Sequence, residues 1–158
     1  MPELREALAE AGFEGVETYV QSGNVVLSAR TKAEQTARKV ERVVAERFGL
    51  EVPVVVRTKA ELARVVKKNP LGRVATDPKR YQVSFLARKP SREVVARLEA
   101  VAAEQEELVL DGREIYAWHP TGVARSKLWE TLAGSGLGVT ATARNWTTVT
   151  KLLELADR

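Results

Sequence analysis

Residues 107–118, ELVLDGREIYAW, decide the fold. Two β-rich runs flank Asp111-Gly112, a pair suited to a type I′ turn, so the stretch predicts a β-hairpin. Before it, Ser91 caps a helix whose inner positions are Val94, Val95, Leu98, Val101 and Ala102. Before that helix, RYQVSFLA (residues 80–87) has the composition of a strand. After the hairpin come a helix over 123–133 closed by Gly134, the strand GVTATA (138–143) and a last helix over 146–157. The order is strand, helix, strand, strand, helix, strand, which is the split βαβ or ferredoxin-like order.

The first half repeats the pattern with one member missing. Pro2 suits a first helical position, Leu4, Ala7, Leu8 and Ala11 share one face, and Gly12 stops the helix. VETYVQSGNVVLSA (16–29) predicts a hairpin around the turn residues SGN. Thr31 and Glu34 have capping-box spacing, opening a helix with Ala37, Val40, Val44 and Phe48 inward and Gly49 at its end. VPVVVR (52–57) predicts a buried strand. Thr58 and Glu61 repeat the box, and the helix they open ends before Pro70, which bars helix at Asn69. The fold class expected is therefore α+β: two tandem ferredoxin-like (βαββαβ) units, the first lacking its first strand, plus a C-terminal helix. The boundaries expected are 1–69 for the first repeat with a short linking helix, 70–79 for a linker and 80–158 for the second repeat.

The missing strand is a central one in such a sheet, and its absence leaves two neighbours without backbone partners. Three arrangements satisfy that shortfall: an internal start at Met1, a truncated chain, or another strand in the gap. The open edge is also free to pair with a second copy, so a homodimer belongs to the reading.

The 158 residues are 44% hydrophobic and 29% charged, an ordinary globular mix. With no cysteine, disulfides, thiolate catalysis and Cys-based metal sites are excluded. No apolar run approaches the roughly 20 residues of a membrane helix, and MPELREALAEAG has no signal-peptide pattern, so the expected location is cytoplasmic. The net charge of +4 is unevenly spread. Residues 57–97 carry twelve Lys/Arg against three acids, whereas both flanks are mildly acidic. Such a cluster either binds a polyanion, nucleic acid included, or is a solvated surface neutralised in space.

The motifs TYVQSGNVVLSA (18–29), NPLG (69–72), SKLWETL (126–132) and TATARNWTTVTKLLELA (140–156) resemble the family called domain of unknown function 1697. The resemblance spans nearly the whole chain. It implies a tandem ferredoxin-like architecture, and it implies no established activity. Members commonly open with a strand and a Gly-rich stretch similar to RGINVGG, which is absent here.

The seam at 140–157 holds the main candidate site. Asn145 is a good N-cap for the last helix, and Trp146 most simply packs into the core. Arg144 beside a helix N-terminus is locally unfavourable unless an anion is shared. That anion is either a carboxylate of the protein or a bound phosphate or carboxylate, gripped by Arg144, the helix amides and the hydroxyl of Thr142. Lys127 is a further anion contact or a surface lysine. Gln21, Ser22 and Asn24 form a polar cluster at the first hairpin, with turn chemistry as the plainer reading.

GSGLG (134–138) follows a helix rather than opening one, so it is no nucleotide loop. His119 is the sole histidine; with no Cys beside it, neither a zinc site nor a His-based triad has support, and no metal or cofactor is expected. No catalytic constellation emerges. The functional expectation is a non-catalytic binding or regulatory module for a small anionic ligand. The alternatives are an enzyme acting on an anionic metabolite and nucleic-acid binding through 57–97.

Overall fold

A computed structural model describes residues 2–19, 23–133 and 137–157. It is mixed α and β, with two small antiparallel sheets and six helices among the described residues. The chain divides into two compact units, residues 1–62 with 151–158 and residues 63–150.

In the first unit, α1 (Pro2–Glu10) buries Leu4, Ala7 and Leu8. Gly12 then turns the chain at φ +101, open to glycine without strain. Strands β1 (Glu14–Tyr19) and β2 (Asn24–Ser28) form an antiparallel pair. Helix α2 (Ala33–Phe48) ends on Gly49, whose left-handed φ of 67 lets its N–H reach Ala45 O. The core is Leu4, Leu8, Phe13 and Val40, joined by Val25, Leu27 and Val54 among others.

Three expectations for this unit fail. Thr31 does not cap α2, because its hydroxyl pairs with that of Thr36 at 2.8 Å, and Lys32 stands at the cap without a side-chain bond. Phe48 is 40% exposed rather than inward. Residues 52–57 form no strand. A strand exists only as one member of a ladder, and this segment has no partner strand among the described residues. The Val54 N–H is met instead by the Glu41 carboxylate at 2.9 Å.

In the second unit, α3 (Lys59–Lys68) supplies its later residues; its capping box is complete, with Thr58 N–H to Glu61 Oε1 at 2.9 Å and Glu61 N–H to Thr58 Oγ1 at 3.1 Å. Then follow β3 (Tyr81–Leu86), α4 (Arg92–Val101), β4 (Glu107–Asp111), β5 (Glu114–Trp118), α5 (Lys127–Ala133), β6 (Ala141–Asn145) and the start of α6 (Trp146–Ala156). The sheet runs β4-β5-β3-β6, antiparallel throughout. Ser91 caps α4 through Val94 N–H at 3.2 Å. The hairpin turn is centred on Gly112-Arg113, one residue later than expected; only Gly112 has positive φ there, the type II′ pattern. Helix α5 starts at Lys127 rather than at 123, because Ser126 caps it through Trp129 N–H at 3.0 Å. The expected Gly134 cap lies outside the described residues.

Every residue of β3 is buried. Leu86 lies on the face that packs with Ile115, Ala117, Leu98 of α4 and Leu128 and Leu132 of α5. On the other face Tyr81 and Tyr116 lie with ring centroids 6.5 Å apart, and the Tyr116 hydroxyl donates to Val65 O of α3 at 3.2 Å. Two covered faces explain why the polar Gln82 and Ser84 are buried along with their apolar neighbours.

Candidate functional site

Strand β6 passes into α6 without a loop. Asn145 caps the helix as expected, its Oδ1 accepting from Thr148 N–H at 2.9 Å. Trp146 is half-buried; its ring stacks on Tyr81 with centroids 4.7 Å apart, and its backbone N–H donates to Pro78 O at 3.1 Å. The Tyr81 hydroxyl donates to Asn69 Oδ1 at 3.0 Å, so the NPLG turn is tied to the same seam. Burial pushes the Tyr81 phenol up to about 12, an effect that the Leu71 N–H partly offsets.

Arg144 stands opposite Val83, on the Tyr81 and Tyr116 face of the sheet together with Thr142. Its guanidinium donates to Thr142 Oγ1 and, at 2.8 Å, to Ala143 O, both uncharged acceptors. Desolvation lowers its proton affinity. Lys127 is exposed at the start of α5, which packs on the opposite face of the sheet, so Lys127 and Arg144 are not brought together. Asn24 is buried, with Nδ2 donating to Tyr19 O at 3.1 Å across the hairpin. Gln21 and Ser22 lie outside the described residues.

A cluster not anticipated from the sequence sits where β5 ends. His119 is fully buried, and its Nδ1 lies 2.6 Å from Glu106 Oε2. The Ser126 hydroxyl donates to that same oxygen at 2.6 Å, and Ala103 N–H donates to Glu106 Oε1 at 3.0 Å. Burial alone would raise the Glu106 carboxyl, but the Ser126 hydroxyl, the Ala103 amide and His119 outweigh it and hold the group below its ordinary value. His119 Nε2 is buried with no hydrogen-bond partner among the described residues, and Trp129 meets the ring edge-on at 6.0 Å. A hydrolytic triad needs the serine bonded to Nε2, with the acid on Nδ1. Here serine and histidine share the acid, so the serine hydroxyl is not activated by the ring. The available signal was Ser126 as a helix cap, hidden when the helix is started at 123.

Among the described residues no group of three His, Cys, Asp or Glu could hold a metal ion, and no helix is long and apolar enough to cross a membrane. Several cations of the basic segment have acid partners: Lys59 with Asp157, Lys68 with Asp111 and Arg80 with Asp77.

A family model described as "Protein of unknown function (DUF1697)" matches residues 1–116. The 140–156 motif lies beyond that match. None of the curated proteins matches the chain significantly. Among solved structures, the conserved bacterial protein SP0830 from Streptococcus pneumoniae is similar with a TM-score of 0.79 at 20% identity, over 100% of this chain and 89% of that one. At that identity the likeness concerns the fold. The family match covers most of the sequence, and the chain belongs to the DUF1697 family.

Proposed function

We propose that this chain is a non-catalytic binding module, built on two ferredoxin-like repeats, that holds a small phosphate- or carboxylate-bearing ligand at the β6–α6 seam. The repeat reading is supported by the antiparallel β4-β5-β3-β6 order of the second unit and by the matching helix, strand, strand, helix order of the first. The ligand reading is carried by Arg144. Its charged head is desolvated one residue before the capped start of an 11-residue helix, and it donates to Thr142 Oγ1 and Ala143 O of β6. A guanidinium fork and a helix N-terminus are both suited to oxyanions.

A binding role is favoured over an enzymatic one by the acceptor choice at Ser126, which leaves the Ser–His–Glu cluster without an activated nucleophile. The test is a thermal-shift series with inorganic phosphate, citrate and nucleotides on the native chain and on Arg144→Lys. Saturation at about 100 times the dissociation constant stabilises by about 2.7 kcal/mol. Native stabilisation that is weakened by Arg144→Lys, which keeps the charge and loses the fork, supports the site. Equal shifts in both proteins refute it.

A further inference from the structure

A cleft of about 450 Å³ opens in the first unit between the turn from α1 into β1, the connection from β2 to α2, and Lys39 of α2. Small-molecule sites commonly enclose roughly 300–1,000 Å³. Every residue lining this cleft belongs to the first unit, whereas Arg144 belongs to the second.

Two cations face this space without a counter-ion. Arg38, Arg47 and Lys59 of the same unit pair with Glu34, Glu10 and Asp157. Arg30 and Lys39 line the cleft and have no acid partner among the described residues. Lys39 is half-buried, and its Nζ stands 4.9 Å from the centroid of the Phe13 ring. A ring face compensates a partly desolvated ammonium only in part. Gly12 keeps that ammonium uncovered: the residue turns at φ +101, and a Cβ there would lie 3.9 Å from Nζ, in contact with it. Glu14 and Ser28 also line the cleft and stand opposite each other in the β1–β2 pair.

We infer that this cleft is a second ligand site, for the phosphate monoester of a small polyhydroxy compound. Lys39 and Arg30 take the phosphate oxygens, the ammonium as a point charge and the guanidinium as a fork. Glu14 sets the class of the rest of the ligand. An ionised carboxylate only accepts hydrogen bonds, so it repels a second anionic group and favours hydroxyl donors. The Ser28 hydroxyl donates or accepts, and it stands beside that carboxylate. A dicarboxylate or a diphosphate fits less well, because its second charge would meet Glu14. The inference is independent of the Arg144 site.

The test is an NMR titration of the amide-labelled chain with glycerol 3-phosphate, inorganic phosphate and glycerol. Glycerol 3-phosphate gives saturable shifts at the amides of Gly12, Glu14 and Thr31, in the native chain and equally in Arg144→Ala. Inorganic phosphate binds there more weakly, and glycerol does not bind. Lys39→Gln and Arg30→Gln each weaken glycerol 3-phosphate by about tenfold, the effect of losing one charge-assisted contact. Arg30 is exposed and outside the core, so Arg30→Gln gives this loss with the fold intact, which unchanged β3 amide positions report. Glu14→Gln removes the preference for glycerol 3-phosphate over phosphate. Three results overturn the proposal: no saturable shift at Gly12 and Thr31, undiminished binding in Arg30→Gln and Lys39→Gln, or inorganic phosphate bound as tightly as glycerol 3-phosphate by the native chain. Shifts confined to β6 and abolished in Arg144→Ala belong to the other site and overturn this one.

Discussion

The Ser126 hydroxyl donates to Glu106 Oε2 at 2.6 Å and not to Nε2 of His119, which lies on the far side of the ring from the shared carboxylate. One carboxylate therefore gathers the α4–β4 connection, the end of β5 and the cap of α5. Its Oε1 accepts Ala103 N–H, and its Oε2 accepts both side chains. The cluster acts as a brace between two connections, α4–β4 and β5–α5.

Glu106→Gln will destabilise the chain by about 1–3 kcal/mol at neutral pH, since it weakens charge-assisted bonds in a nearly sealed site. The sign with pH follows from the lowered carboxyl. A group whose folded pKa lies below its ordinary 4.5 stabilises above that value and loses the effect as pH falls through the folded pKa. Urea unfolding of the native chain will therefore weaken below about pH 4.5, and this component will be absent in Glu106→Gln. Equal acid slopes in the two proteins would contradict the prediction.

Gly72→Ala will loosen the NPLG turn. A Cβ at position 72 would lie 2.5 Å from Asn69 Nδ2, so the asparagine must move, and its Oδ1 is the acceptor for the Tyr81 hydroxyl. A cost of about 1–2 kcal/mol is expected, the range of a buried hydrogen bond lost on one side. In a Tyr81→Phe background the Gly72→Ala cost should shrink, because the bond is already gone.

The Tyr81–Trp146 stack couples the first residue of β3 to the first residue of α6. A double-mutant cycle with Tyr81→Leu and Trp146→Leu should give a coupling of about 0.5–1.5 kcal/mol, the worth of an aromatic pair beyond its buried area. Additive losses would mean that the two rings are merely neighbours.

Much of this was legible in the residues, and the failures share a cause. Local chemistry read true at Ser91, Gly49, Asn145 and the Thr58–Glu61 box, all of them formed, though not at the equally spaced Thr31–Glu34 pair. Tyr81–Leu86 read true as strand, and its polar Gln82 and Ser84 are buried with their apolar neighbours because both faces are covered. VPVVVR misled because β composition says nothing about whether a partner strand is present. Phe48 misled for a related reason: the helix pattern gives a face but not what lies under its end. The Glu106–His119–Ser126 brace was invisible because its members are 7, 13 and 20 residues apart and meet only when two connections close. Lys127 and Arg144 could not be separated by sequence, since which face of the sheet each takes depends on register.

Alkaline titration will show a late phenol. Tyr81 is raised to about 12 by burial, and Tyr116 is raised as well, first by burial and then by Glu114 and Asp111. A phenol whose folded pKa exceeds its ordinary 10.0 stabilises fully below that value and loses the effect as pH rises toward the folded pKa. Phenolate absorbance of the buried pair should therefore develop only with unfolding, above the ordinary value. A single smooth transition near pH 10 would contradict the buried environment of both rings.

The most direct measurement is calorimetric titration of inorganic phosphate into the native chain and into Arg144→Ala, at low salt and neutral pH. A seam that grips an oxyanion predicts saturable binding to the native chain and a loss of about tenfold or more in the variant, the effect of removing a charge-assisted fork. Equal binding by the two proteins, or no binding by the native chain, would contradict an anion site at Arg144.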